Sequence, residues 1–472
     1  MNRNLECKTT MKRLSILLAA IFLVAGVASA QSRSSYFMEG SYLRTNMNPA
    51  LAPSRSYVVI PVLGGAGLNI SSNYLSADNL FYQKDGEFVT ALHNSVSAEE
   101  FSKKMPKNMR LSMNADIALL GVGFYTKDIF WTAGVNGHFM ADSNVPSSLV
   151  KTLKVMGNGS TNIDSMALDV TAYADLYVGA SVPVCDWLMV GAKLKFLVGL
   201  ANAGLQFDEL SVNISADSVD GELNGTWRAA GADCDNRLIN SDSKFEDLVG
   251  NGGKLHFNNF GLAVDLGAEA RLLDDRLKLS AAITDLGFIK WSKVSHIGGE
   301  LKGDFFYRGV NFDSGEVDSG SNFNDSLIGL DEYTGYTTRL QCALNIGAEY
   351  NILDNRIGFG LLSHTKFCNT MTYSELTASV NFRPLSWLSA TVSHTIFNRN
   401  PAGIFGLALN VHTQGFNLFV GADFLGRYVK ITEDPDTFIP RRMKSVNLHA
   451  GIAINFGKVK RNAFSTPKKK GA

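Results

Sequence analysis

The segment from Tyr373 to Phe424 decides the fold. It contains YSELTASVNF (373–382), LSATVSHTIF (388–397), IFGLALNV (404–411) and FNLFVGADF (416–424). In the first run, Leu376, Ala378, Val380 and Phe382 alternate with Thr377, Ser379 and Asn381. Leu388, Ala390 and Val392 repeat the comb, as do Phe405, Leu407, Leu409 and Val411, and then Phe416, Leu418, Val420, Ala422 and Phe424. A period of two belongs to an extended strand with one apolar and one polar face. Between the combs lie Pro384-Leu385-Ser386 and Thr413-Gln414-Gly415, short enough to close hairpins. Strands joined this way run antiparallel, since parallel neighbours need a long crossover.

Outward from this segment the pattern recurs. Tyr57 to Asn73 is a strand interrupted at Gly64-Gly65, where a bulge or a close backbone approach is expected. Strands 109–125 and 129–140 pair about Thr126-Lys127-Asp128, and strands 165–183 and 188–206 about Val184-Cys185-Asp186. Strands 258–272 and 277–291 turn at Asp274-Asp275, and 337–352 and 356–368 at Asp354-Asn355. Val446, Leu448, Ala450, Ile452, Ile454 and Phe456 form a last comb. Ser147–Met156 reads as a short helix in a loop, while 208–255 reads as a long polar, acidic loop apart from a possible short hairpin, and 293–336 as a second long loop. The count is about fourteen strands, with connections alternately very short and long, which predicts an all-β, antiparallel up-and-down barrel of the outer-membrane type over 57–457. The competing architecture is a secreted two-sheet sandwich.

The chain has 472 residues and 44 Lys+Arg against 44 Asp+Glu, a balance that gives no support to nucleic-acid binding. A mean hydropathy of +0.02 excludes a bundle of membrane helices but not a barrel, in which half of each strand faces a polar lumen. Lys12-Arg13, the apolar run Leu14–Val27 and Ala28-Ser29-Ala30 compose an export signal cleaved before Gln31, with Met11 an alternative start. Cys185, Cys234, Cys342 and Cys368 lack metal-ligand spacing. Cys342 and Cys368 flank one turn but fall out of phase, which argues against a disulfide. Among catalytic and nucleotide-binding motifs, G-x-S-x-G, H-E-x-x-H, the P-loop and the dinucleotide fingerprint are all missing, so no catalytic residue, cofactor or metal is expected.

Asp175, Lys193, Lys195, Asp265, Glu269, Lys278, Glu349 and Asp423 fall on the polar faces at mid-strand. Such charges are costly in a dry core and natural in a wet lumen, so they are expected to face it. Their mixed sign predicts a salt-bridged or hydrated interior, not a pore selective for one charge. Trp131, Trp187 and Trp387 each lie just past a short turn, at one height, as an aromatic girdle at a lipid interface would. Trp291, at the far end of its strand, is expected in the opposite girdle.

Four stretches carry a family resemblance: Asn48-Pro49-Ala50, YVVIPVLGGAGLNISSN (57–73), TDLGFIKW (284–291) and NIGAEYNILDNRIGFGL (345–361). Over residues 36 to 457 the chain resembles a family of Bacteroidota outer-membrane barrels of unestablished function. That family is similar in turn to long-chain fatty-acid transporter barrels and to barrel components of the type IX secretion system. The resemblance implies a fourteen-strand lumen and a hatch, residues 31–56, in which Asn48, Pro49 and Ala50 are the marked element. It also implies a barrel set in outer-membrane lipid and inserted by the barrel-assembly machinery. The chain departs from many such barrels beyond Phe456, where the basic stretch 458–472 is expected to hang in the periplasm. The function expected is passive uptake of small hydrophobic or amphipathic molecules. The alternative is a structural or secretion-associated barrel that docks partner proteins through its long loops.

Overall fold

The structure, a computed structural model, describes residues 33–460 except 75–76, 85–86, 92, 104, 150, 152–158, 215–217, 232–256, 309–334, 371, 398–399, 426–427, 431–437 and 441–444. The export signal, Cys234 and the tail beyond Lys460 lie outside the described residues.

Alternation produces strands wherever the combs predict them. The strands are β1 (Ser56–Val59), β2 (Ala66–Ser72), β3 (Asn108–Thr126), β4 (Ile129–Pro146), β5 (Gly159–Cys185) and β6 (Leu188–Ile214). Next come β7 (Ser218–Gly231), β8 (Phe260–Leu272), β9 (Leu277–Trp291), β10 (His296–Arg308), β11 (Tyr336–Arg339) and β12 (Cys342–Ile352). The series ends with β13 (Ile357–Phe367), β14 (Thr372–Leu385), β15 (Leu388–Phe397), β16 (Asn400–His412), β17 (Asn417–Leu425) and β18 (Ser445–Phe456). All 18 belong to one antiparallel sheet, and the wall it forms is a closed 14-strand barrel. β1 and β2 are two pieces of one staple strand. Both lie between β18 and β3, with Ser56 opposite Phe456, Tyr57 opposite Gly123 and Ala66 opposite both Ala450 and Ile117.

Two regions differ from expectation. The sequence 208–255 and 293–336 is not all loop: β6 continues to Ile214, β7 pairs with its far half, and β10 pairs with β7 over its whole length, so a small sheet rises beyond the wall. The strand expected at 337–352 is broken at Leu340-Gln341 into β11 and β12, both of which pair with β9. Residues 147–149 are helical, as expected for the start of the loop helix. Cys185, Cys342 and Cys368 are free.

The two faces of the wall are inverted relative to a soluble sheet. Along β14, Leu376 and Phe382 are 39% and 40% exposed, whereas Thr377 and Asn381 are each 2% exposed. Neighbouring strands repeat this, with Leu176, Leu194, Leu262, Leu286, Ile346, Phe359, Val392, Leu407, Val420 and Ile454 outside. An apolar exterior that runs round the whole barrel far exceeds the patches carried by a soluble monomer. It also removes the sandwich alternative, which would put those residues in a core. Among the described residues no helix is long and apolar enough to cross a membrane.

One bulge corrects a reading. Trp131, Trp187 and Trp387 are exposed on the outer face, but Trp291 is fully buried inside, its Nε1–H donating to Thr338 Oγ1 at 2.8 Å and its ring stacked on Tyr336. The cause lies at Thr284-Asp285, where both residues are buried and the register to β8 shifts. Asp285 has φ 59°, and its N–H donates to Asp265 Oδ1 at 2.7 Å. A bulge adds one residue and inverts the phase of the strand beyond it. Below it the even positions of β9 point inward; above it Ile289 and Trp291 do, and Lys290 points out.

Candidate functional site in the barrel interior

The interior is occupied from the short-turn end by residues 33–55, which form a 3-10 turn at Arg33–Ser35, another at Tyr42–Asn46, and irregular backbone between and after them. The lack of period in this stretch is thus real, and its apolar residues each find a place on the wall. Tyr36, Phe37, Met47 and Leu51 pack with Leu362; Tyr42 packs with Tyr57, Phe130 and Ala453; Met38 packs with Ala408 and Phe419.

Asn48 is fully buried. Its Nδ2 donates to Ala268 O at 3.2 Å while its Oδ1 accepts from Ala50 N–H at 2.9 Å, and Ala50 O accepts from Ser181 Oγ at 3.2 Å. Between these two, Pro49 has a fixed φ and no N–H to satisfy. Gly191 and Gly267 face this turn; a Cβ on Gly191 would strike Pro49 and Ala50, and one on Gly267 would strike Asn48 and Pro49. The wall is hollowed where the segment lies against it.

The segment's charges meet opposite charges on the wall. Arg33 pairs with Glu375 of β14, both almost fully buried. Glu39 accepts from Lys278 and from Asn355 Nδ2 at 3.2 Å. Burial alone would raise the Glu39 carboxyl, but Lys278, then Arg383, Arg271 and Arg44, outweigh it and hold the group well below the usual carboxylate range. Arg383 donates to Phe37 O at 2.8 Å and pairs with Glu349 at 2.5 Å, and Arg44 lies 3.8 Å from Glu269, which also pairs with Arg271 at 2.9 Å.

Every charged residue expected on the inner face is buried there. Asp175 is 3.0 Å from His138 Nε2, and Asp116 is 2.6 Å from the Nδ1 of the same ring. Lys195 joins Asp265 at 2.9 Å and Asp285 at 2.6 Å; Lys193 reaches Asn46 Oδ1 at 3.1 Å and lies over the Tyr177 ring; Asp423 accepts from Ser34 and Asn447. The alternation thus locates these groups but does not name their partners. Arg33, Glu39 and Arg44 stand in the unperiodic stretch, and Asp285 faces inward only through the bulge. His138, Glu375 and Lys366 were legible by phase from their neighbours.

Above the N-terminal segment the groups form layers. A cavity of about 90 Å³ is lined by Arg33, Asn46, Asp116, His138, Lys193 and Lys366, among others. Further from the short turns along β5, β6 and β9 comes an apolar layer of Met140, Tyr173, Leu197, Ile289, Trp291 and Leu340. Beyond that layer, a second cavity of about 380 Å³ lies beside Asp169, Trp227, Arg228 and Thr338.

Residues 49–423 match a Family of unknown function (DUF5723). The chain belongs to this family. A comparison with curated proteins finds no match. Among solved structures the chain is similar to the toluene transporter TbuX of Ralstonia pickettii, at 9% identity, with 91% of this chain and 95% of that one covered and a TM-score of 0.40. It is similar to the toluene transporter TodX of Pseudomonas putida at 9% identity, covering 88% and 92%, TM-score 0.34. A Pseudomonas aeruginosa FadL homologue is 12% identical, with coverage of 92% and 97% and a TM-score of 0.28.

Proposed function

We propose that this DUF5723 protein is an outer-membrane barrel for passive uptake of small amphipathic molecules, with residues 31–56 as its hatch. The observation that carries the proposal is a closed barrel with an apolar exterior whose lumen is filled, from the short-turn end, by a segment held through ion pairs and side-chain hydrogen bonds. The apolar exterior suits lipid, where a basic residue at mid-depth would cost ~2–4 kcal/mol. Trp131, Trp187 and Trp387 then mark the interface on the hatch side. Solute enters the outer cavity, passes the apolar layer and reaches the charged cavity, whose floor is the hatch. Layers of both kinds favour molecules with a polar and an apolar part. Deleting Tyr36–Ser56 should raise solute flux through proteoliposomes at least tenfold while the barrel still shifts mobility on boiling. Flux unchanged in a folded deletion variant would end the hatch assignment.

The rising sheet of β7 and β10 supports a second reading, a structural or secretion-associated barrel that docks partner proteins on its long-loop side. Cross-linking in membranes separates the two: a stoichiometric protein partner trapped through 218–231 or 296–308 favours docking.

A further inference from the structure

We propose that Lys290 and Arg339 form a seat for the phosphate group of an outer-leaflet lipid, on the outer face of the wall where its apolar exterior ends. The inference rests on the membrane part of the proposed function, and not on uptake or on the hatch.

The bulge in β9 creates the seat. Without the slip at Thr284-Asp285, Trp291 would face lipid and Lys290 the lumen. The slip exchanges them, so that Trp291 is buried inside and Lys290 is exposed outside. The ladder to β11 carries this phase across. Thr338 is buried opposite Ile289, whereas Thr337, opposite Lys290, and Arg339, opposite Phe288, are exposed. Lys290 and Arg339 are thus diagonal neighbours on one face, ~7–8 Å apart at the backbone, a gap that two long side chains close on a single ligand.

A cation on a lipid-facing wall is costly unless it reaches the headgroups. Other basic side chains of the wall, such as Lys193, Lys195 and Lys278, are buried inside. The outward neighbours of the pair are uncharged: Phe260 and Thr337 lie opposite Lys290, and Phe288 lies opposite Arg339. Among the described residues no carboxylate pairs with either group. From Leu277 at the short turn to Lys290 the strand climbs ~33 Å, at ~3.3 Å per residue and a tilt of about 40°. An apolar band is ~25 Å tall, so the pair stands just beyond it, level with the headgroups.

Phosphate is the anion at that level. Arg339 offers it two parallel N–H donors, and Lys290 adds a compact charge. A phosphate monoester, with a charge of about −1.5 to −2 at neutral pH, matches the two cations. Leu286, Phe260 and Phe288, all exposed on the same face, lie where the acyl chains of that lipid descend. Arg339 also borders the outer cavity, which puts the seat where the wall meets the mouth.

The test uses the refolded full-length mature chain in detergent and native mass spectrometry. Dioleoyl phosphatidic acid is the probe; the diacylglycerol of the same chains and inorganic phosphate are the controls. One saturable phosphatidic acid per barrel is expected, at least tenfold tighter than diacylglycerol. About 1 kcal/mol for each cation at an anionic surface is roughly fivefold, so Lys290→Gln and Arg339→Gln should each weaken binding about fivefold and the pair together more than twentyfold. Lys302→Gln, on the rising sheet, should bind as wild type. If a glutamine variant lacks the heat-modifiable band, Lys290→Arg and Arg339→Lys replace it, and both should retain binding. No preference over diacylglycerol, or full binding in the folded glutamine variants, overturns the seat. Displacement by equimolar inorganic phosphate overturns the lipid assignment. Binding that appears only after Asp331→Asn and Glu332→Gln, a few residues ahead of β11, gives the pair to the chain's own carboxylates and also overturns it. A chain soluble without detergent would instead defeat the membrane reading itself, a result separate from a failed seat on a folded barrel.

Discussion

The Arg33–Glu375 pair offers the sharpest test of how the N-terminal segment is held. Both side chains are almost fully excluded from water, and they join the start of the N-terminal segment to β14. Replacing Glu375 by Gln keeps the volume and one acceptor but leaves the guanidinium buried without its counter-charge. Removing one partner of a buried pair costs about 3–5 kcal/mol, and the retained acceptor argues for the lower end, about 3 kcal/mol. Since each 1.4 kcal/mol is a factor of ten, the unseated population should rise roughly a hundredfold. Hydrogen–deuterium exchange of the refolded barrel reads this directly. Amides held within the segment, such as Met38 N–H to Ser35 O at 2.9 Å and Met47 N–H to Arg44 O at 3.1 Å, should exchange faster by that factor. Peptides from β7 and β10, which pair with each other beyond the wall, should not change. Replacing both residues by Met removes the pair together and should restore most of the protection, because an apolar pair of similar size is often neutral or better. The reasoning is refuted if Glu375→Gln exchanges like wild type, or if the double variant is as loose as the single one.

Two other measurements bear on the geometry. In single-tryptophan variants, brominated lipids should quench Trp131, Trp187 and Trp387 but leave Trp291 bright; quenching of Trp291 would place the upper half of β9 in the opposite phase. Glu39 makes a pH prediction. Its carboxyl is held well below the ordinary range, so its contribution to seating the N-terminal segment is complete above the unfolded carboxylate pKa of about 4.3 and is lost only as pH falls through the lower folded value. The difference in exchange of the N-terminal segment between wild type and Glu39→Gln should therefore stay constant from about pH 7 to 5. A difference already shrinking across that window would contradict the Lys278 contact.

The barrel was legible because alternation is a property of each strand by itself. Leu376 and Thr377 announce their faces without knowledge of any partner. The paired turns then fix the neighbours, and with them strand order and inner charges such as Glu349 and Asp423. What stayed hidden depends on other parts of the chain. Asp285 and Trp291 face inward because one residue slips against β8, and the run ITDLGFIKW shows no break in composition where the phase inverts. Arg33, Glu39 and Arg44 look like charges on an exposed lead-in until the wall residues that receive them, Glu375, Lys278 and Glu269, are in place. The sheet of β7 and β10 shows in the sequence only as a possible short hairpin within 208–255, because its strands carry no unbroken apolar comb.

The staple strand also sets the order of closure. Ser56 meets Phe456, and Ala66 meets Ala450, so the pairing that seals the cylinder joins the two ends of the sequence. No part of that ladder can exist before β18 has emerged, and it carries the largest chain-entropy cost of any contact in the wall. The staple is also interrupted between Val59 and Ala66. Every other wall pairing joins strands nearer in sequence, across a short turn or across the segments that precede β3, carry β7 and β10, or precede β18. The seam is the exception, and zippering must end there.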